Sequence, residues 1–120
     1  MARIVTVGLE KSAASQLGRA LGSEAHQIAH KTKAITVADV VDADIVFANG
    51  DGKSYLTLLR QIREALPSLP FVVVTRIPEI SDWLDALEAG ATDYCSAPFE
   101  PKHIGWLMES AVLSARGAAA

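Results

Sequence analysis

The sequence predicts a doubly wound α/β domain, a five-stranded parallel sheet with helices on both faces. Two observations predict it. Short apolar, β-branched runs alternate along the chain with segments whose apolar residues recur at helical spacing. The runs Asp44–Asn49 and Phe71–Thr75 are almost continuously apolar, as strands covered on both faces must be. Right-handed crossovers leave few topologies for five such units, of which 2-1-3-4-5 is the commonest.

The elements follow in order. Ile4–Val7 reads as a buried strand. Glu10–Leu21 reads as a helix, with Ala14, Leu17, Ala20 and Leu21 on one face and Gly22 as its stop. His26–Lys31 alternates weakly and makes a short second strand, and Val37, Val40 and Val41 suggest a short helix begun near Thr36. The third strand, Asp44–Asn49, runs into the polar turn at Gly50 and Asp51. Ser54–Leu66 is the clearest helix, with Tyr55, Leu58, Leu59, Ile62 and Leu66 on one face. Pro67 and Pro70 end it and lead into strand Phe71–Thr75. Ser81 is the expected N-cap of a helix through Ala89, stopped by Gly90. Thr92–Ser96 is the last strand, and Pro101 opens a final helix with an inner stripe of Ile104, Leu107, Met108 and Ala111.

Composition narrows the function. At 120 residues the chain suits one domain, residues 1–120, with 116–120 (ending in Ala118–Ala120) as a tail or linker stub. A net charge of −3 leaves no electrostatic footprint for nucleic acid. The single cysteine, Cys95, excludes an internal disulfide, fits a reducing compartment and reads as a small core residue. No apolar run approaches the ~20 residues of a membrane span, and the start lacks a signal-peptide core, so the expected location is cytoplasmic. His26, His30 and His103 lack metal-ligand spacing and read as surface residues.

In a doubly wound sheet, sites form beyond the carboxyl ends of the strands where the strand order reverses. That places Gly8 and Leu9 beside Asn49 and Gly50, with Thr75, Ser96 and Ala97 nearby.

Three stretches carry a family resemblance: Asp44-Ile-Val-Phe-Ala-Asn49, Phe71-Val-Val-Val-Thr75, and Ala86-Leu-Glu-Ala-Gly-Ala-Thr-Asp-Tyr94-Cys-Ser-Ala-Pro98-Phe99. They resemble the third, fourth and fifth strands of response-regulator receiver domains, the CheY-like branch of the flavodoxin-like folds. The resemblance covers most of the chain, although residues 22–43 add little. It implies an Asp phosphoacceptor at the end of strand three, an acidic Mg²⁺ pair after strand one, and a Lys before the final Pro. Here those positions fall on Asn49, on Gly8 and Leu9, and on Ala97. Thr75 and Tyr94 match the family's switch hydroxyl and switch aromatic, and Ala97–Pro98 stands where receivers often carry a cis peptide.

An amide is a poor nucleophile, Mg²⁺ wants several hard oxygens, and an acyl phosphate wants a fixed cation. The expectation is therefore a pseudo-receiver, not an enzyme, without cofactor or Mg²⁺, acting as a phosphorylation-independent interaction module in bacterial signalling. Simpler roles stand beside these: Asn49-Gly50 is a turn dipeptide that also deamidates readily, Thr75 can simply end a strand, and Tyr94 can be half-buried packing. The alternatives are a two-component phosphorelay regulator phosphorylated at Asp51, or an anion- or nucleotide-binding module at Gly50-Asp-Gly-Lys53-Ser54. That turn resembles a phosphate-binding loop but has Phe47 where the first Gly belongs.

If chemistry is gone, function lies on the surface. Trp106 falls about 200° around the last helix from Ile104, with Leu113 on the same side. It either anchors an interface or folds over the neighbouring helix, while Trp83 is expected to be the more buried indole. Receivers often pair or meet partners through the helix-four, strand-five, helix-five face. The resemblance thus implies a protein partner or a homodimer there, with the output effector fused or separate.

Overall fold

The structure is a computed structural model that describes residues 2–21, 26–31, 36–51, 54–77, 79–96 and 99–109. The chain alternates β1 (Ala2–Val7), α1 (Lys11–Leu21), β2 (His26–Lys31), a 3-10 turn (Val37–Val40), β3 (Ile45–Asn49), α2 (Tyr55–Ala65), β4 (Phe71–Thr75), α3 (Ile80–Glu88), β5 (Asp93–Ser96) and α4 (Pro101–Leu107). All strand pairs are parallel and the order is β2-β1-β3-β4-β5, as the alternation predicts. No helix among the described residues is long and apolar enough to cross a membrane.

Period-2 alternation along the strands divides the interior into two layers. Val5, Val46, Ala48, Phe71 and Val73 pack beneath Tyr55, Leu58, Leu59 and Ile62 of α2 and Ala86 of α3. Ile4, Ile45, Phe47, Val72, Val74 and Cys95 face the other way, under Leu17 and Leu21 of α1 and Ile104 and Leu107 of α4. The central strands β3 and β4 are apolar up to their last residues, Asn49 and Thr75, because both their faces are covered.

Four local readings change. The short helix begun at Thr36 is a single 3-10 turn, closed by Asp39 N–H donating to the Thr36 carbonyl at 3.0 Å; Val40 is buried and Val37 partly so, while Val41 is exposed. The helix counted fourth in the sequence is therefore α3 here, and the fifth is α4. In α1 the buried row is Ala13, Leu17 and Leu21, four residues apart, with Ala14 and Ala20 only half-buried. Trp83 N–H donates to the Glu79 carbonyl at 3.0 Å, so α3 is capped at Glu79 and Ser81 lies inside its first turn. Leu66 is the C-cap of α2 and is only partly covered. Gly90, at φ 104°, turns the chain out of α3 in the left-handed region that favours glycine. The expected roles of Gly22, Ala111 and the tail fall on residues outside those described.

Arg63 ties two loops to α2. Its Nε donates to the Gly90 carbonyl at 2.7 Å and its Nη1 to the Leu69 carbonyl at 2.8 Å, with longer reaches to Leu66 and Pro67 at 3.4 and 3.3 Å.

Cys95 is a free thiol in the second layer, as its composition reading expects. Burial first, and the charge of Asp93 second, push it up to about 12 from 9.0. Between those values the unfolded chain releases a proton that the folded chain keeps, so stability falls as pH rises from 9.0 towards about 12. At neutral pH Cys95 is expected to resist iodoacetamide until urea unfolds the chain; stoichiometric labelling of the native protein would contradict the burial.

Candidate functional site

The register of the parallel strands decides what meets at their carboxyl ends. Val7 pairs with Ala48, Asn49 with Val74, and Thr75 with Ser96. Gly8 leaves β1 at φ 70°, and a Cβ placed on it would lie 3.5 Å from the Asn49 Cβ. The reversal of strand order between β1 and β3 thus brings Gly8 and Asn49 together, as the topological rule requires.

Asn49 closes an Asx turn: its Oδ1 accepts from Asp51 N–H at 2.9 Å. Gly50 N–H donates to the Val74 carbonyl at 2.8 Å. Deamidation needs that nitrogen free to attack the Asn49 amide carbon, and here it is engaged. Gly50 is also held where a side chain does not fit, since an added Cβ would lie 2.4 Å from Val73 Cγ1.

Asp51, just past the turn, joins the ends of three strands. Thr75 is buried and its Oγ1 donates to Asp51 Oδ1 at 3.0 Å; the Ile77 carbonyl is a longer alternative at 3.4 Å. Arg76 Nε lies 3.8 Å from Asp51 Oδ2, and its Nη1 lies 3.3 Å from Glu10 Oε1. These ion pairs are solvent-exposed and worth under about 1 kcal/mol each. Their consequence is chemical rather than energetic. Both carboxylates at this end of β1 and β3 already face a cation, and one of them holds the buried hydroxyl. Glu10 and Arg76 are members that the strand-end rule does not single out. Each is the first charged residue beyond its strand, and a tally of such residues would have found both.

The other singled-out residues lie as follows. Leu9 is half-buried against the second layer, and Ser96 is half-buried at the end of β5. Tyr94 is half-buried against the layer that α2 covers. Ala97, Pro98, Gly52 and Lys53 lie outside the described residues, so the lysine position, the expected cis peptide and the phosphate-loop reading fall there too. His30 shares a hydrogen bond with Thr6 Oγ1 at 2.6 Å, and His103 one with Asp93 at 3.2 Å. Among the described residues no three metal-capable side chains cluster.

No protein-family model matches the chain. In sequence it is similar to the transcriptional regulator NtrC of Proteus hauseri, 34% identical over 74 residues, covering 62% of this chain and 15% of that protein. It is also similar to the phosphate regulon regulator PhoB of Klebsiella pneumoniae, 36% identical over 67 residues, covering 55% of this chain and 28% of that protein. The chain thus spans only a small part of the curated relatives it matches. In structure it is similar to a CheY-like response-regulator receiver domain protein of Methanospirillum hungatei, at a TM-score of 0.78 and 15% identity, covering 98% of both chains. The fold is that of a response-regulator receiver domain. NtrX of Brucella abortus, solved with ADP, overlays at a TM-score of 0.82 and 24% identity, covering 98% of this chain and 28% of that one.

In this receiver fold the apolar surface is concentrated on the helices that flank β5. Ile80, Trp83, Leu84 and Leu87 of α3 are exposed, as is Ile77 before them. Trp106 of α4 is 62% exposed, which favours the outward reading over folding onto a neighbouring helix, and its ring lies 6.4 Å from that of His103. Trp83 is the more covered indole, as expected, yet still 42% exposed. Leu113 lies outside the described residues.

Proposed function

We propose that this chain is a pseudo-receiver, a signalling module of the two-component type that acts through protein contacts and takes up neither phosphate nor Mg²⁺. The observation that carries this reading is the Glu10–Arg76–Asp51–Thr75 network. Phosphoryl transfer needs a free anionic nucleophile with fixed positive charge around the moving oxygens. Asn49 stands at the acceptor position with a neutral amide whose oxygen serves its own turn. Gly8 and Leu9 stand at the metal positions and bring no side-chain oxygen. The donor set present is poor for Mg²⁺, because Asp51 and Glu10 already face Arg76, whose positive charge competes with a dication for both carboxylates.

Asp51 is the basis of a second reading, since its carboxylate reaches the switch hydroxyl of Thr75. In the first reading this bond holds Thr75 permanently on a carboxylate and does the work that a phosphoryl group does in a working receiver. In the second, Asp51 is itself the acceptor.

Incubation with acetyl phosphate and Mg²⁺, followed by intact-mass spectrometry, is expected to leave the mass unchanged. The melting temperature is expected not to move with millimolar Mg²⁺. Gain of one phosphoryl mass that disappears in Asp51→Asn would establish the second reading, and gain that persists in that variant would refute both. Output then passes through the α3–β5–α4 face, to a protein partner or to a second copy, from wherever the module sits in the cytoplasm.

A further inference from the structure

We propose that the outward face of α3 seats a basic amphipathic helix of another protein. The inference rests on reading the α3–β5–α4 face as the interaction surface and names the chemistry of what it takes. In α3 the residues at i, i+3, i+4 and i+7 are Ile80, Trp83, Leu84 and Leu87, a stripe that amphipathic helices ordinarily bury. Here the helix buries only Ala86, and the stripe faces solvent with Ile80 at 74% exposure. Ile77, 72% exposed, adds apolar surface just before α3. An apolar patch of this kind, rimmed by polar groups, marks a contact surface.

The rim selects the occupant. None of the chain's 11 Lys and Arg lies between Ile77 and Pro101, whereas Glu79 and Glu88, which border the stripe, both do. At about 100° per residue, Glu79 and Glu88 fall on opposite flanks of the stripe, and both are exposed. A second copy meeting this face with its own α3 would set acidic flank against acidic flank, which is unfavourable. An anionic membrane surface is repelled for the same reason. A helix with an apolar stripe bordered by Lys or Arg matches both features, in the helix-on-helix mode of peptide recognition.

Two synthetic peptides of about 18 residues test this, sharing one Leu stripe at helical spacing but flanked by Lys in one and by Glu in the other. The 120-residue chain is used with Trp106→Phe, which leaves Trp83 as its only indole. The Lys-flanked peptide is expected to blue-shift Trp83 emission saturably, with affinity that weakens as salt rises. The Glu-flanked peptide is expected to bind roughly tenfold or more weakly. In the parent chain, Leu84→Ala is expected to weaken binding of a labelled Lys-flanked peptide while leaving the circular dichroism unchanged, since Leu84 is exposed. Equal binding of both peptides, no binding of the Lys-flanked one, or a dimer in sedimentation that Leu84→Ala dissolves would each overturn the proposal. The acetyl phosphate result is read independently. A chain that stays unphosphorylated and ignores the Lys-flanked peptide refutes only this inference, and one that takes phosphate and binds the peptide refutes only the pseudo-receiver.

Discussion

Arg63→Met is expected to lower the stability of the fold by about 3 kcal/mol, or roughly 10 °C in melting temperature for a domain of this size. The methionine keeps the apolar stem but removes the donors that reach Gly90 at 2.7 Å and Leu69 at 2.8 Å. Both bonds are part-buried, so the carbonyls left behind are not freely hydrated. Burial lowers the Arg63 pKa, yet a guanidinium stays charged at any pH the fold survives, and these remain charge-assisted bonds. Arg63→Lys is expected to recover little, because one ammonium cannot address two carbonyls in different loops as a planar fork does. Urea unfolding of the three proteins checks this, and a loss below about 1 kcal/mol for the methionine variant would show the carbonyls finding other partners.

Gly50→Ala is the second large effect, and it acts at the site itself. The added Cβ would lie 2.4 Å from Val73 Cγ1, a methyl on a stiff β-branched side chain in a central strand. The backbone cannot retreat cheaply, because Gly50 N–H is bonded to the Val74 carbonyl. Overpacking of this kind costs about 1–3 kcal/mol. Val73→Ala removes the obstructing methyl at the expense of a cavity in the α2 layer. The double variant is therefore expected to be more stable than the sum of the two losses by about 1 kcal/mol or more. Strict additivity in urea unfolding would mean that the turn, not the valine, gives way.

Much of this was legible in the chain itself. Phe71–Thr75 and the body of Asp44–Asn49 announce buried central strands because apolar residues on both alternating faces have no other home. The strand-end rule then placed Gly8 beside Asn49 without any knowledge of their chemistry. What could not be read is direction and pairing. Ile80, Trp83, Leu84 and Leu87 form a stripe at helical spacing, but spacing says only that a stripe exists, not which way it faces. The helix turns Ala86 to the sheet instead. Glu10, Asp51 and Arg76 are far apart in sequence, and a charged residue after a strand is most often simply solvated. Their convergence depends on the register that sets Val7 beside Ala48 and Asn49 beside Val74.

An open sheet leaves two strands with one side unpaired, and here neither invites extension. On the outer margin β2 carries Gln27, His30 and Lys31, and at the opposite margin β5 is four residues long and starts at Asp93. Short, polar or charged margins discourage strand-to-strand stacking into filaments. Growth of the sheet by that route is thus discouraged at both margins.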